Sequence, residues 1–125
     1  MYQQLQSKEG AVKFKEAEEH NGPSIIIAYC PCIEQGIKGG MNNATSEQKL
    51  VVDCGYTTLM RYTPENEKLT IDSREPDFSK YEQLLNNEVR YNSLVKKNPE
   101  LAKEVLELNK QDAIKRYNYY KKLKF

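Results

Sequence analysis

The most apolar stretch of the chain is Ser24-Ile25-Ile26-Ile27-Ala28-Tyr29, entered through the turn signal Asn21-Gly22-Pro23 and closed by Cys30-Pro31-Cys32. Its β-branched residues fall on both faces instead of alternating, which predicts a strand over 25–29 covered on two sides within a parallel sheet. Pro31 has no N–H for a ladder hydrogen bond, so the strand is expected to end before it. Ile33-Glu34-Gln35-Gly36 then predicts a turn or short helix, followed by the Gly39-Gly40 pair. Open α/β sheets do their chemistry just beyond the carboxyl ends of the strands, and two thiols stand at that place here.

The flanking pattern is helical. Residues 7–20 carry a thin apolar face at Ala11, Phe14 and Ala17, with Ser7 as the expected cap and Glu9 in the first turn. Thr45 or Ser46 caps a helix running through Glu47 to Asp53, whose buried side is Leu50, Val51 and Cys54, and Gly55 takes the left-handed position after it. Residues 55–62 are rich in strand formers and stop at Pro64. Leu69 and Ile71 alternate with polar neighbours up to Asp72, as on an edge strand. A helix capped by Asp77 or Ser79 is predicted to reach about Lys97, with Tyr81, Leu84, Leu85, Glu88, Tyr91 and Leu94 along one side. Asn98-Pro99-Glu100 supplies a cap, a proline at the first position and an acid in the first turn of the last helix. That helix carries Leu101, Val105, Leu108, Ile114, Tyr117 and Tyr120, and is expected to fold back on its predecessor as an antiparallel hairpin.

The fold class implied is α/β, with a parallel sheet core and a closing helical hairpin. A strand buried on both faces needs neighbours and helices on each side, and only two other strands are in sight. The sequence reads like the end of a larger α/β domain.

Composition changes this picture little. In 125 residues, 38% are apolar and 30% charged, and the mean hydropathy is -0.81. Nineteen basic side chains against eighteen acidic ones leave a net charge of +1, which gives no reason to expect a nucleic-acid partner or an anionic membrane. No stretch approaches the ~20 apolar residues of a membrane span, and the first residues have no signal-peptide character. Three cysteines, an odd number, do not make a disulfide framework and suit a reducing cytoplasm.

Candidate chemistry is sparse. Cys30, Cys32, Cys54 and the single His20 have none of the spacings of a structural zinc site, and one residue between Cys30 and Cys32 is too few for a redox Cys-x-x-Cys. Taken by themselves the two thiols have no assigned task. Gly36, Gly39 and Gly40 match neither a dinucleotide fingerprint nor a P-loop and read as turn residues. His20, beside Glu18 and Glu19, reads as a solvated helix-end residue. No carboxylate sits in an apolar context that would suggest a raised pKa. Bases and tyrosines mix over residues 116–122, but Tyr117 and Tyr120 share a helical face, which favours a docked terminal helix over an RNA-binding surface.

The blocks IIIAYCPCIEQGIKGGM, KLVVDCGYTTLMRYTP, LTIDSREPDFSKY, NNEVRYNSL and RYNYYKKL, in this order and spacing, resemble the C-terminal region of the pyruvate:ferredoxin (or flavodoxin) oxidoreductases, enzymes of thiamine diphosphate and iron–sulfur clusters. The resemblance implies that residues 1–78 are the last strand and helix units of a thiamine-diphosphate-binding α/β domain and that 79–125 are a helical hairpin packed on it. It implies that Cys32 supplies the fourth ligand of a cubane cluster, its other three cysteines lying upstream in a Cys-x-x-Cys and a later position. Cubane clusters take four thiolates, so this chain would hold none alone. Thiamine diphosphate and magnesium would likewise bind upstream, leaving no catalytic residue and no further cofactor ligand here. Cys54 stands where serine is common, and Thr57-Thr58 where Trp-Pro is common.

The function implied is the oxidative decarboxylation of pyruvate to acetyl-CoA, with electrons passed through iron–sulfur clusters to ferredoxin or flavodoxin. This segment would contribute one cluster cysteine and scaffold, would depend on the remainder of the polypeptide or on companion subunits, and would be inert in isolation. A second class of function is a free-standing, non-catalytic assembly subunit that keeps a remnant of the fold. A small metal or redox carrier using Cys30 and Cys32 is a third.

Overall fold

A computed structural model of the chain describes residues 8–32 and 36–123, so the expected cap at Ser7 and the turn at 33–35 lie outside the described residues. The chain divides into two compact units, 1–30 and 31–125.

The first unit is built on α1, Lys8–Glu19. Its exposed side carries a Lys15–Glu19 pair at 3.4 Å. At its end His20 N–H donates to the Glu16 carbonyl and Ser24 Oγ donates to the Ala17 carbonyl at 2.9 Å. These bonds satisfy carbonyls that a helix terminus otherwise leaves bare. Residues 23–29 follow without regular structure. Ile25 is 87% exposed and Ile27 93%, so the run with the strongest strand pattern is neither in a sheet nor covered among the described residues. The parallel-sheet core expected around it is not present there. Strand propensity expresses itself only where neighbouring strands and covering side chains exist.

The second unit contains α2 (Ala44–Asp53), β1 (Met60–Thr63), β2 (Lys68–Ile71), α3 (Tyr81–Asn87), α4 (Val89–Lys97) and α5 (Pro99–Lys122). Among the described residues the sheet is the antiparallel pair β1–β2, in register Met60 with Ile71 through Thr63 with Lys68. Glu67, at φ 46°, turns the chain between them after a 3-10 turn at Pro64–Asn66. Arg61 clamps the pair by donating Nε and Nη2 to the Asp72 carboxylate at 2.9–3.1 Å. The architecture is therefore mixed helix and small sheet, compatible with α/β.

The core forms where the apolar faces of α2, α3 and α5 meet. Val51, Cys54, Leu84, Ala102 and Ala113 are fully buried, with Tyr81 and Tyr117 beside them. Gly55, at φ +80°, ends α2 as expected, and a Cβ there would lie 2.6 Å from Phe78 Cε1 and 2.9 Å from Pro76 Cβ. Both the backbone hand and the close approach require glycine. Asp77 caps the 3-10 turn Phe78–Lys80 that leads into α3, accepting from Ser79 N–H and Oγ. Those bonds hold its carboxyl below the usual carboxylate range.

The helix expected from residue 79 to 97 is broken. Glu88, at φ -80° and ψ 121°, separates α3 from α4. The reason is long-range: Lys38 N–H donates to the Asn87 carbonyl at 2.7 Å, and Ile37 pairs with Glu88 as an isolated antiparallel bridge. Asn92 Nδ2 donates to the Asn86 carbonyl across the break. The single residue Asn98 joins α4 to α5 and caps α5 by accepting from Leu101 N–H at 3.1 Å. Tyr91 OH reaches from α4 to the Ala102 carbonyl at 2.9 Å, closing the helical hairpin. Farther along α5, the Tyr117 ring meets Phe78 edge-on at 6.3 Å, which docks the terminal helix.

Candidate functional site

The three cysteines are in different surroundings. Cys54 has no exposed surface, its Sγ donates weakly to the Val51 carbonyl at 3.7 Å, and burial pushes its thiol pKa up. Thiolate character is what makes a cysteine a nucleophile or a metal ligand, so Cys54 is a packing residue. Cys30 ends the first unit and Cys32 lies near the start of the second, and both are exposed. Among the described residues no group of three or more His, Cys, Asp or Glu side chains could hold a metal ion.

From Gly36 onward the backbone is tied down bond by bond. The Cys32 carbonyl accepts from Gly36 N–H at 3.3 Å. Gly36 has φ +71°, and a Cβ there would stand 3.2 Å from Val89 Cγ2. Its own carbonyl accepts from Val89 N–H at 3.4 Å, at the break between α3 and α4. Ile37 is buried, Lys38 is bonded to Asn87, and Gly40 N–H returns to the Ile37 carbonyl at 2.9 Å. Ile37 thus anchors in the core a backbone that is bonded through Gly36 N–H to the carbonyl of Cys32, whose thiol is exposed.

Glu47 locks the far side of this anchor. It is 3% exposed, accepts from Asn87 Nδ2 at 2.9 Å through Oε2, and keeps Oε1 buried without a partner. Burial raises its pKa against the opposing effect of the Asn87 bond. Glu88 is also raised, by burial and then by the nearby Glu47 charge. Sequence reasoning missed this pair, because an acid in the first turn of a helix normally points to water and favours the helix dipole there. The signals were Gln48 and Glu47 standing together ahead of an apolar side, and Glu88 falling in line with Leu84, Leu85 and Tyr91.

The second unit also holds a cleft of about 460 Å³ between residues 56–60 and α5. Arg116 Nη2 of α5 donates to the Tyr56 carbonyl at 2.7 Å, joining its two sides. Tyr81 contributes to the floor, and its hydroxyl pKa is pushed up to about 12, chiefly by burial.

No family model matches the chain. The chain is 41% identical over 113 residues to the pyruvate-flavodoxin oxidoreductase of Klebsiella pneumoniae, an alignment covering 86% of this chain and 10% of that protein. It is 40% identical over 113 residues to the pyruvate:ferredoxin oxidoreductase of Moorella thermoacetica, covering 86% and 9%. It is 33% identical over 118 residues to the mitochondrial pyruvate dehydrogenase [NADP(+)] of Euglena gracilis, covering 88% and 6%. The chain therefore spans between 6% and 10% of the length of these relatives. Over most of its own length, it is homologous to one region of the much larger pyruvate-flavodoxin and pyruvate:ferredoxin oxidoreductases.

Proposed function

We propose that this chain is the C-terminal segment of a pyruvate:ferredoxin (flavodoxin) oxidoreductase and that it supplies Cys32 as one thiolate ligand of a cubane iron–sulfur cluster. The observation that carries the reading is the 40% identity to these enzymes over 86% of the chain, an alignment long enough to take in most of the anchored loop and both helices of the hairpin. Iron–sulfur clusters accept cysteine thiolates, and an exposed thiol beside a fixed backbone fits the part of one ligand among four. The other three would come from the remainder of the polypeptide or from companion subunits. When bound, the cluster would carry single electrons away from pyruvate oxidation. This chain's own contribution is to hold the Cys32 sulfur at a set place, through Gly36, Ile37 and Lys38.

The exposed run at Ile25–Ile27 supports the same reading. Two isoleucines in water forfeit roughly 1.5–3 kcal/mol each relative to burial, and strands outside this chain would cover them. On this view residues 1–78 complete the thiamine-diphosphate-binding α/β domain, with its parallel sheet, and 79–125 pack against it. Thiamine diphosphate and magnesium would sit outside this segment, which would be inert alone and would work in the cytoplasm, with ferredoxin or flavodoxin as acceptor. Among the described residues no helix is long and apolar enough to cross a membrane.

The size of the native polypeptide tests the assignment. An antibody to residues 99–122 should detect a band many times the 14.5 kDa of this chain, or a 14.5 kDa band that co-migrates with larger subunits on a native gel. A 14.5 kDa band migrating alone would contradict it.

A further inference from the structure

The cleft of the second unit has the features of a built polar site. Its volume of about 460 Å³ lies within the ~300–1,000 Å³ of small-molecule pockets. One wall is a single stripe of α5, since Asn109, Asp112, Arg116 and Tyr120 recur at helical spacing and all line it. The opposite wall is the irregular segment before β1, with Tyr56 and Thr57. That segment is fixed at its start: Thr57 N–H donates to the Val51 carbonyl at 3.0 Å, and the Tyr56 carbonyl accepts from Arg116.

Arg116 and Tyr81 are among the lining groups left with hydrogen-bonding capacity. Arg116 uses Nη2 on Tyr56, and the rest of its planar fork of donors has no partner among the described residues. Tyr81 is 3% exposed, lines the cleft, and its hydroxyl makes no hydrogen bond among the described residues. Buried tyrosine hydroxyls ordinarily find a partner, so one left open to a cleft marks a place for an acceptor. Arg116 and Asp112 stand one helical turn apart and both line the cleft, which puts a cation and an anion on the same wall. Asp112 pairs only loosely, with the exposed Lys115 at 3.8 Å.

We propose that this cleft binds a small carboxylate bearing a neighbouring hydrogen-bond donor, the class of 2-amino and 2-hydroxy acids, with the carboxylate on Arg116 and the Tyr81 hydroxyl and the donor on Asp112. A guanidinium fork matches a carboxylate in two-point geometry, and the adjacent acid selects against simple anions. The site does not depend on the assignment of Cys32, and none of its residues is near that thiol in sequence.

The test is titration of the isotope-labelled full chain with glycine, glycolate, acetate and inorganic phosphate, followed by amide chemical shifts. Glycine or glycolate should give saturable shifts at Tyr56, Thr57 and Arg116, with acetate and phosphate at least threefold weaker. Tyr81→Phe removes only an unbonded hydroxyl and should keep the fold while weakening binding about fivefold. Thr57→Trp should fill the cleft and abolish the shifts with the remaining spectrum unchanged, and Arg116→Gln should weaken binding at least tenfold. Absence of saturable shifts with both glycine and glycolate overturns the proposal. So does equal binding of all four probes, or binding indifferent to Tyr81→Phe and Thr57→Trp.

Discussion

The Asn87 side-chain amide donates to Glu47 Oε2 at 2.9 Å across forty positions of sequence, while Glu47 Oε1 stays buried and unpaired. The bond holds α2 to the break between α3 and α4, where the backbone downstream of Cys32 is anchored. A carboxylate with half its acceptors unmet is a costly way to make that contact. Its raised pKa is the consequence.

Stability should therefore fall as pH rises across this group's titration. Burial lifts the Glu47 pKa in the folded chain, and Glu88 is lifted likewise. The folded state then holds protons that the unfolded state has released, so stability is greatest below the unfolded carboxylate value and declines up to the folded one. Glu47→Gln keeps an acceptor for Asn87 and removes the charge. Chemical denaturation from pH 4 to 8 should show a flatter profile for this variant and a gain of about 1 kcal/mol at pH 7. An unchanged profile would show that Glu47 is solvated.

Thiol reactivity should separate the cysteines. In the native chain an aromatic disulfide reagent should modify Cys30 and Cys32 rapidly and Cys54 only on unfolding, because Cys54 is inaccessible and its thiolate is disfavoured. Mass spectrometry of the labelled peptides reads the outcome, and early labelling of Cys54 would refute the packing described for α2.

Gly55→Ala should destabilise the second unit by about 2–5 kcal/mol. Roughly 1–2 kcal/mol comes from a left-handed alanine, and about 1–3 kcal/mol from overpacking against Phe78 and Pro76. Thermal melting of the variant beside wild type gives the value, and a loss below about 1 kcal/mol would mean that the loop carrying Phe78 yields freely.

At Asn98 the side-chain cap on Leu101 N–H fixes the start of α5. Asn98→Ala should cost about 1 kcal/mol in denaturant melts, with Asn98→Asp close to wild type. Equal stability of all three would show that α5 starts without its cap.

What could be read from the residues was local. Asn98-Pro99-Glu100 announced α5, Gly55 announced the end of α2, and Val51 and Cys54 were on its buried side, because caps, left-handed turns and helical spacing act within a few residues. What could not be read depends on distant partners. The break at Glu88 comes from Ile37 and Lys38, fifty positions earlier. The strand expected from Gly55 begins only at Met60, because Thr57 is bonded back to Val51 and the segment between is the cleft wall. The strand pattern at Ile25–Ile27 was legible but has no sheet among the described residues, and a pattern cannot supply its own neighbours. The ligand role given to Cys32 came from resemblance, since one exposed thiol carries no metal geometry by itself.

Iron analysis of the assembled oxidoreductase carrying Cys32→Ser, with electron paramagnetic resonance of the reduced protein, decides whether Cys32 is a cluster ligand. The expected result is loss of one cubane's worth of iron and sulfide, disappearance of one cluster signal and a collapse of pyruvate-dependent dye reduction, with Cys54→Ser retaining all clusters. Full iron content, an unchanged spectrum and wild-type dye reduction in Cys32→Ser would contradict it.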